Sequence, residues 1–153
     1  MTTLRHEIRI EVPVEKVWAA LFDLAAVERY NPMVASARWL GERREGVGAG
    51  RHCELVPRGW VEERVWEWTP TSAIGLEVAK SDWPLVFMKW RTRLLADGAA
   101  TVVSQEMSYR LKFGPLGPLG ALLDALVMRK KLDASVGEVF AGLKRYLEGA
   151  QRT

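Results

Sequence analysis

One cysteine, Cys53, and two histidines, His6 and His52, are the only residues of those types in the 153-residue chain. A lone thiol cannot close an intramolecular disulfide, so the fold is expected to hold without one, in a reducing compartment such as the cytoplasm. Two histidines with no CxxC or HExxH spacing leave a metal without its usual ligand set, and neither a metal nor a cofactor is expected. The strained GxSxG turn that carries a serine nucleophile is also missing. No apolar run reaches membrane-spanning length: the richest, residues 119–128, carries Asp124 in its middle. The opening Met1-Thr2-Thr3-Leu4-Arg5 lacks the apolar stretch of a signal peptide, so stable membrane insertion is not expected. Charge of one sign is scarce as well. Against 22 Lys and Arg stand 19 Asp and Glu, a net +3, and the longest cationic run is Arg129-Lys130-Lys131. Nucleic-acid binders concentrate such charge in a stripe, and no nucleic-acid partner is expected.

What is present is ordinary globular material with one excess. Hydrophobic residues make up 48% and charged residues 27% of a chain near the commonest domain size, which predicts a single domain over 1–153. Seven tryptophans are the excess. Their large apolar rings, each with one N–H donor, suit a thick core or the wall of a cavity.

Periodicity orders the chain. Residues 6–12 alternate Ile8, Ile10 and Val12 against Glu7, Arg9 and Glu11, the period-two pattern of a half-buried strand that Pro13 ends. Val14, Val17, Trp18, Leu21 and Phe22 then recur at helical spacing. A second short helix over about 25–30 stops before Asn31-Pro32. Strand-like runs follow at 34–40, 51–56, 60–68, 73–80, 85–95 and 100–113, bounded by Gly, Pro and Asp-Gly turns. Asp97-Gly98 between two long runs is the clearest hairpin signal. The glycines at 46–50 are followed by a strand and lack the Lys of a phosphate loop, so they read as a connecting loop. After Gly114-Pro115-Leu116-Gly117-Pro118 a long helix runs to about Glu148. Seven antiparallel strands cannot cover their own inner face, and the terminal helix must do so: an α+β fold.

The stretches IRIEVPVEKVWAALFDLAAVERYNPMV, GVGAGRHCEL, VEERVWEWTP and FAGLKRYLEG, taken in this order, resemble the START and polyketide cyclase/dehydrase superfamily (SRPBCC) over nearly the whole chain. The resemblance implies a helix-grip fold, a curved seven-stranded sheet around a long C-terminal helix with an apolar cavity between them. It implies no catalytic residue, because no catalytic pattern matches residue by residue.

Alternation nominates the cavity wall. In 85–95 Val86, Met88, Trp90, Thr92 and Leu94 share a face opposite Lys89, Arg91 and Arg93, and the first set is expected inside. In the last strand Gln105, Met107 and Tyr109 join that face, with Gln105 and Tyr109 as polar groups on an apolar surface. They are expected to bond to each other, to water or to the helix, or to orient a ligand. Leu76 is a further candidate from the strand 73–80. The strand 60–68 can be read either way. One parity carries Trp60, Glu62, Arg64, Trp66 and Trp68, and the other Val61, Glu63, Val65 and Glu67. The tryptophan face is expected inside, since three exposed Trp would make an unusual apolar patch, and Glu62 and Arg64 would then enter the cavity. On the long helix Leu119, Leu122, Leu123 and Leu126 form one stripe, and Leu132, Val136, Val139, Phe140, Leu143 and Leu147 a second, rotated from it. Either the helix bends near 128–131 or its first half packs over the cavity mouth, with Arg129 and Asp133 between the stripes.

The leading functional expectation is binding or transport of a small hydrophobic ligand such as a lipid or polyketide, by a monomer or homodimer. A cyclase or dehydratase using Tyr109, Glu62 or Arg64 in the same cavity is the alternative. A protein-interaction module whose cavity is only core is the third.

Overall fold

The computed structural model describes residues 1–112 and 117–151, the side chains of 117–125 and 150–151 excepted. Strand β1 (Thr2–Ile10) leads into helix α1 (Val14–Phe22) and a 3-10 helix (Leu24–Arg29). Six strands follow: β2 (Val34–Leu40), β3 (Gly50–Leu55), β4 (Trp60–Thr69), β5 (Ala73–Ser81), β6 (Leu85–Asp97) and β7 (Ala100–Leu111). Helix α2 (Gly117–Gln151) closes the chain. The sheet is antiparallel throughout, in the order β1-β7-β6-β5-β4-β3-β2, so every strand pairs its sequence neighbour except β1, which crosses to β7. This is the helix-grip arrangement. Strand β1 begins four residues earlier than alternation suggests, because Thr2–Arg5 pair with Glu106–Tyr109.

Local chemistry sets the boundaries. Pro13, without an N–H to leave unpaired, sits at the start of α1, and its carbonyl takes the amides of Lys16 and Val17. Gly98 has φ +62°, the value that the first central position of a primed hairpin turn needs between β6 and β7.

The core lies between the inner face of the sheet and two helical surfaces. Val17 and Trp18 of α1 pack with Leu24 and Val27 on one side, while Leu132, Val136, Phe140, Leu143 and Leu147 of α2 form a buried stripe on the other. Burying each such side chain contributes roughly 1.5–3 kcal/mol. The C-terminal half of α2 is also bonded to β1 and the residue after it: Lys144 Nζ donates to the Arg9 carbonyl at 2.7 Å, and the Glu11 amide donates to Glu148 at 2.9 Å.

Two β-bulges correct the simple alternation. In β4, Val65 pairs with Leu76 and Glu67 with Gly75, which leaves Trp66 as the extra residue. The inner face of β4 is therefore Val61, Glu63, Val65 and, beyond the bulge, Trp68. Glu62, Arg64 and Trp66 point outward. The patch of three exposed tryptophans does not arise, because Trp68 packs edge-on against Trp18 at 5.3 Å and Trp60 stacks on His52. In β6 the extra residue is Val86, between Leu85 and Phe87, and it is 55% exposed rather than inside. Helix α2 runs without interruption through 128–131, and Leu126 is 52% exposed. Leu119, Leu122 and Leu123 lie outside the described side chains.

Candidate functional site

Between sheet and helix lies a cavity of about 180 Å³. Its floor comes from β5, β6 and β7, with Met88, Trp90 and Met107 inside as alternation predicts and Leu76 beside them. Thr92 and Gln105, cross-strand partners, add two uncharged polar groups. The roof is α2 through Leu132, Val136, Val139 and Phe140.

One wall is polar, and none of its groups was a sequence candidate. Arg51 of β3 and Glu63 of β4 are register partners whose side chains turn inward, and only 6% and 7% of each residue remains exposed. Arg51 Nε donates to Glu63 Oε1 at 2.6 Å, and its Nη1 donates to the Leu24 carbonyl at 3.3 Å, tying the 3-10 helix to the sheet. The buried Tyr30 side chain lies beside the same guanidinium. Cys53 Sγ stands 4.0 Å from Glu63 Oε1. All four residues line the cavity.

Charging is governed by this enclosure. Burial works against the Arg51 cation, but its neighbours, Glu63 foremost, together outweigh that cost and hold the guanidinium protonated. Burial pushes the Cys53 thiol up to about 12, with Arg51 opposing, so it is a neutral thiol at physiological pH. Burial likewise raises the Tyr30 hydroxyl. The polar wall is thus one closed ion pair flanked by neutral donors.

The other nominated residues fall elsewhere. Trp66 lies on the outer face, its ring over Gly75, its Nε1 donating to the Leu76 carbonyl at 3.1 Å and Lys89 5.2 Å above it. Trp68 is inside but belongs to the Trp18–Phe22 aromatic cluster, not to the cavity wall. Glu62 pairs with His52 at 2.8 Å, and Arg64 Nη1 donates to the Gly48 carbonyl at 3.2 Å, both on the outer side. Neither can act on a molecule in the cavity. Leu126 faces solvent. Tyr109 is 2% exposed among Leu4, Met88, Met107, Leu132 and Val136, next to the cavity but not on its wall. Its hydroxyl has no hydrogen-bond partner among the described residues, neither Gln105 nor the helix. Asp133, between the two stripes of α2, bonds His6 of β1 at 2.9 Å.

Arg51 and Glu63 were readable in principle. Val61 and Val65 flank Glu63 with the same parity, and Cys53, a small apolar residue, shares a parity with Arg51. The weight given to three tryptophans concealed this, because the bulge at Trp66 lets the strand place Val61, Val65 and Trp68 on one face.

Among the described residues no group of three His, Cys, Asp or Glu could hold a metal ion, and no helix is long and apolar enough to cross a membrane.

Comparison with known proteins agrees with this architecture. A START superfamily protein from Mycobacterium smegmatis is similar at 13% identity and a TM-score of 0.73, covering 97% of this chain and 98% of that one. TTHA0849 from Thermus thermophilus is similar at 22% identity and a TM-score of 0.80, covering 97% and 99%. The protein XoxI from Bacillus cereus matches at 10% identity and a TM-score of 0.76, covering 99% of each. No curated protein matches the sequence. The model of the family described as polyketide cyclase / dehydrase and lipid transport matches residues 1–148, and the chain belongs to that family.

Proposed function

We propose that the protein binds a small, largely apolar molecule in the cavity between α2 and the sheet, as a carrier or receptor for it. The observation that carries this reading is the void itself. Close-packed interiors keep few spaces larger than a water molecule, yet about 180 Å³ stands open here between side chains that are mostly Leu, Val, Met and Trp. A dry apolar cavity of about 150 Å³ is enough to take up benzene. The fitting ligand is therefore about one aromatic ring with a short substituent, or an acyl chain of similar volume. Met88 and Met107 on the floor suit a ligand of irregular outline, since an unbranched thioether adapts its shape. A lipid or polyketide fragment of that size falls within the chemistry that the family description names. A cytoplasmic setting accords with the lone, buried Cys53.

Titration with toluene, followed by calorimetry or by methyl NMR shifts, tests the reading. Val136→Phe adds ring carbons to the void and is expected to weaken toluene binding at least tenfold, about 1.4 kcal/mol. Arg91→Ala, which breaks only the outer pair with Glu67, is expected to leave it unchanged. Equal binding by wild type and Val136→Phe would mean that the cavity is not where the probe sits.

A further inference from the structure

We infer that the polar end of the ligand is uncharged and carries a hydrogen-bond donor beside an acceptor, as in a primary amide or in a hydroxyl and a carbonyl on neighbouring carbons. The inference rests on the cavity-binding reading and adds the ligand's chemical class to it.

Charge balance is the first ground. Among the described residues that line the cavity, two are charged, Arg51 and Glu63, and they cancel. The remaining polar lining is neutral: the thiol of Cys53, the hydroxyls of Tyr30, Thr92 and Ser135, and the amides of Asn31 and Gln105. A carboxylate entering this space would leave one buried negative charge in excess, and an ammonium one positive charge. Either would lose its hydration without finding an unspent counter-charge, a penalty of several kcal/mol per ion. An uncharged polar group avoids that cost.

The hydrogen-bonding atoms left over are the second ground. Both contacts to the Glu63 carboxylate, from Arg51 Nε and from Cys53 Sγ, fall on Oε1. Oε2 of the same carboxylate is left as an acceptor. The Arg51 guanidinium has five N–H donors and gives Nε to Glu63 and Nη1 to the Leu24 carbonyl, which leaves further N–H groups on a side chain that lines the cavity beside Glu63. A donor and an acceptor held side by side are matched by a group offering the reverse pair. The ion pair remains intact while it binds, so no charge separates.

The test is a matched one-ring series on the full chain at pH 7.5 and constant ionic strength: toluene, benzamide, benzoate and benzylammonium, each titrated by calorimetry or NMR. Benzamide is expected to bind at least about tenfold more tightly than benzoate and benzylammonium, given the burial penalty of an unpaired ion. Benzoate or benzylammonium equal to or tighter than benzamide overturns the inference while leaving cavity binding in place, with toluene still bound. Failure of all four to bind overturns the cavity reading and this inference with it. Glu63→Gln supplies a second arm. It leaves the Arg51 cation uncompensated, and benzoate is expected to gain at least about tenfold relative to benzamide. An unchanged ranking in that variant overturns the inference, and if the variant does not fold the wild-type series decides alone.

Discussion

Two ion pairs stand one register position apart on the same two strands, and they could hardly differ more in consequence. Arg51 pairs with Glu63 on the inner face of β3 and β4, while His52 pairs with Glu62 on the outer face. Inside, both partners are nearly water-free, the guanidinium also holds a backbone carbonyl, and a cavity opens beside them. Outside, His52 bridges Glu62 at 2.8 Å and Glu54 at 2.7 Å, with its ring stacked 5.7 Å from that of Trp60, and water is close at hand. The pleat alone decides which pair is a structural commitment and which an adjustable surface contact.

The largest effect expected from this contrast is on the inner pair. Arg51→Met should cost about 3–5 kcal/mol in urea unfolding, because Glu63 would keep a buried charge with no partner. The double change Arg51→Met with Glu63→Leu should recover most of that loss. A cost below about 1 kcal/mol for the single change would place the inner pair in the same class as an exposed one.

Next in size is a test of how rigid the two faces are. A Cβ on Gly142 of α2 would come within 2.0 Å of the Tyr30 carbonyl oxygen, which is backbone and cannot yield without shifting the 3-10 helix away from Arg51. A Cβ on Gly75 would meet the Trp66 ring at 2.4 Å, but that ring lies on the outer face and can swing aside. Gly142→Ala is expected to destabilise by about 1–3 kcal/mol, more than Gly75→Ala does. The reverse order in thermal unfolding would mean that the outer surface is the stiffer one.

The smallest effect belongs to His52. Its hydrogen bonds to Glu54 and Glu62 raise its pKa above the ordinary histidine value, against a slight burial penalty and repulsion from Arg38. Because the folded-state pKa is the raised one, the stabilisation is complete below the unfolded value near 6.5 and is lost as pH rises through the folded value. His52→Gln should therefore cost under about 1 kcal/mol at pH 5.5 and nothing measurable at pH 9. A cost that grows with pH would show the sign to be wrong.

Much of this was legible in the residues. The alternation of 6–12 and 100–113, the helical spacing of α1 and the Asp97-Gly98 turn locate elements that the structure contains, with β7 ending at Leu111 and Phe113 outside the described residues, because each is a local rule with one answer. Four cavity residues, Met88, Trp90, Gln105 and Met107, follow from parity within the unbroken part of the β6–β7 ladder. Parity fails where the ladder slips. The extra residues at Trp66 and Val86 exchange inside for outside, and nothing in the local composition marks them. The polar wall was missed for a further reason. An Arg on a strand normally faces water; the parity of Cys53, Val61 and Val65 points Arg51 and Glu63 inward, but that the two meet is set by the cross-strand register, a non-local property.

That register has a bearing on how the chain reaches its final form. Twelve positions separate Arg51 from Glu63, so their meeting asks only that one short hairpin close, at a small loss of chain entropy. Phe140 and Leu143, which line the same cavity from α2, arrive from some eighty residues downstream. The opposite charges can therefore find each other while still wetted, and the lid comes down on a pair already made.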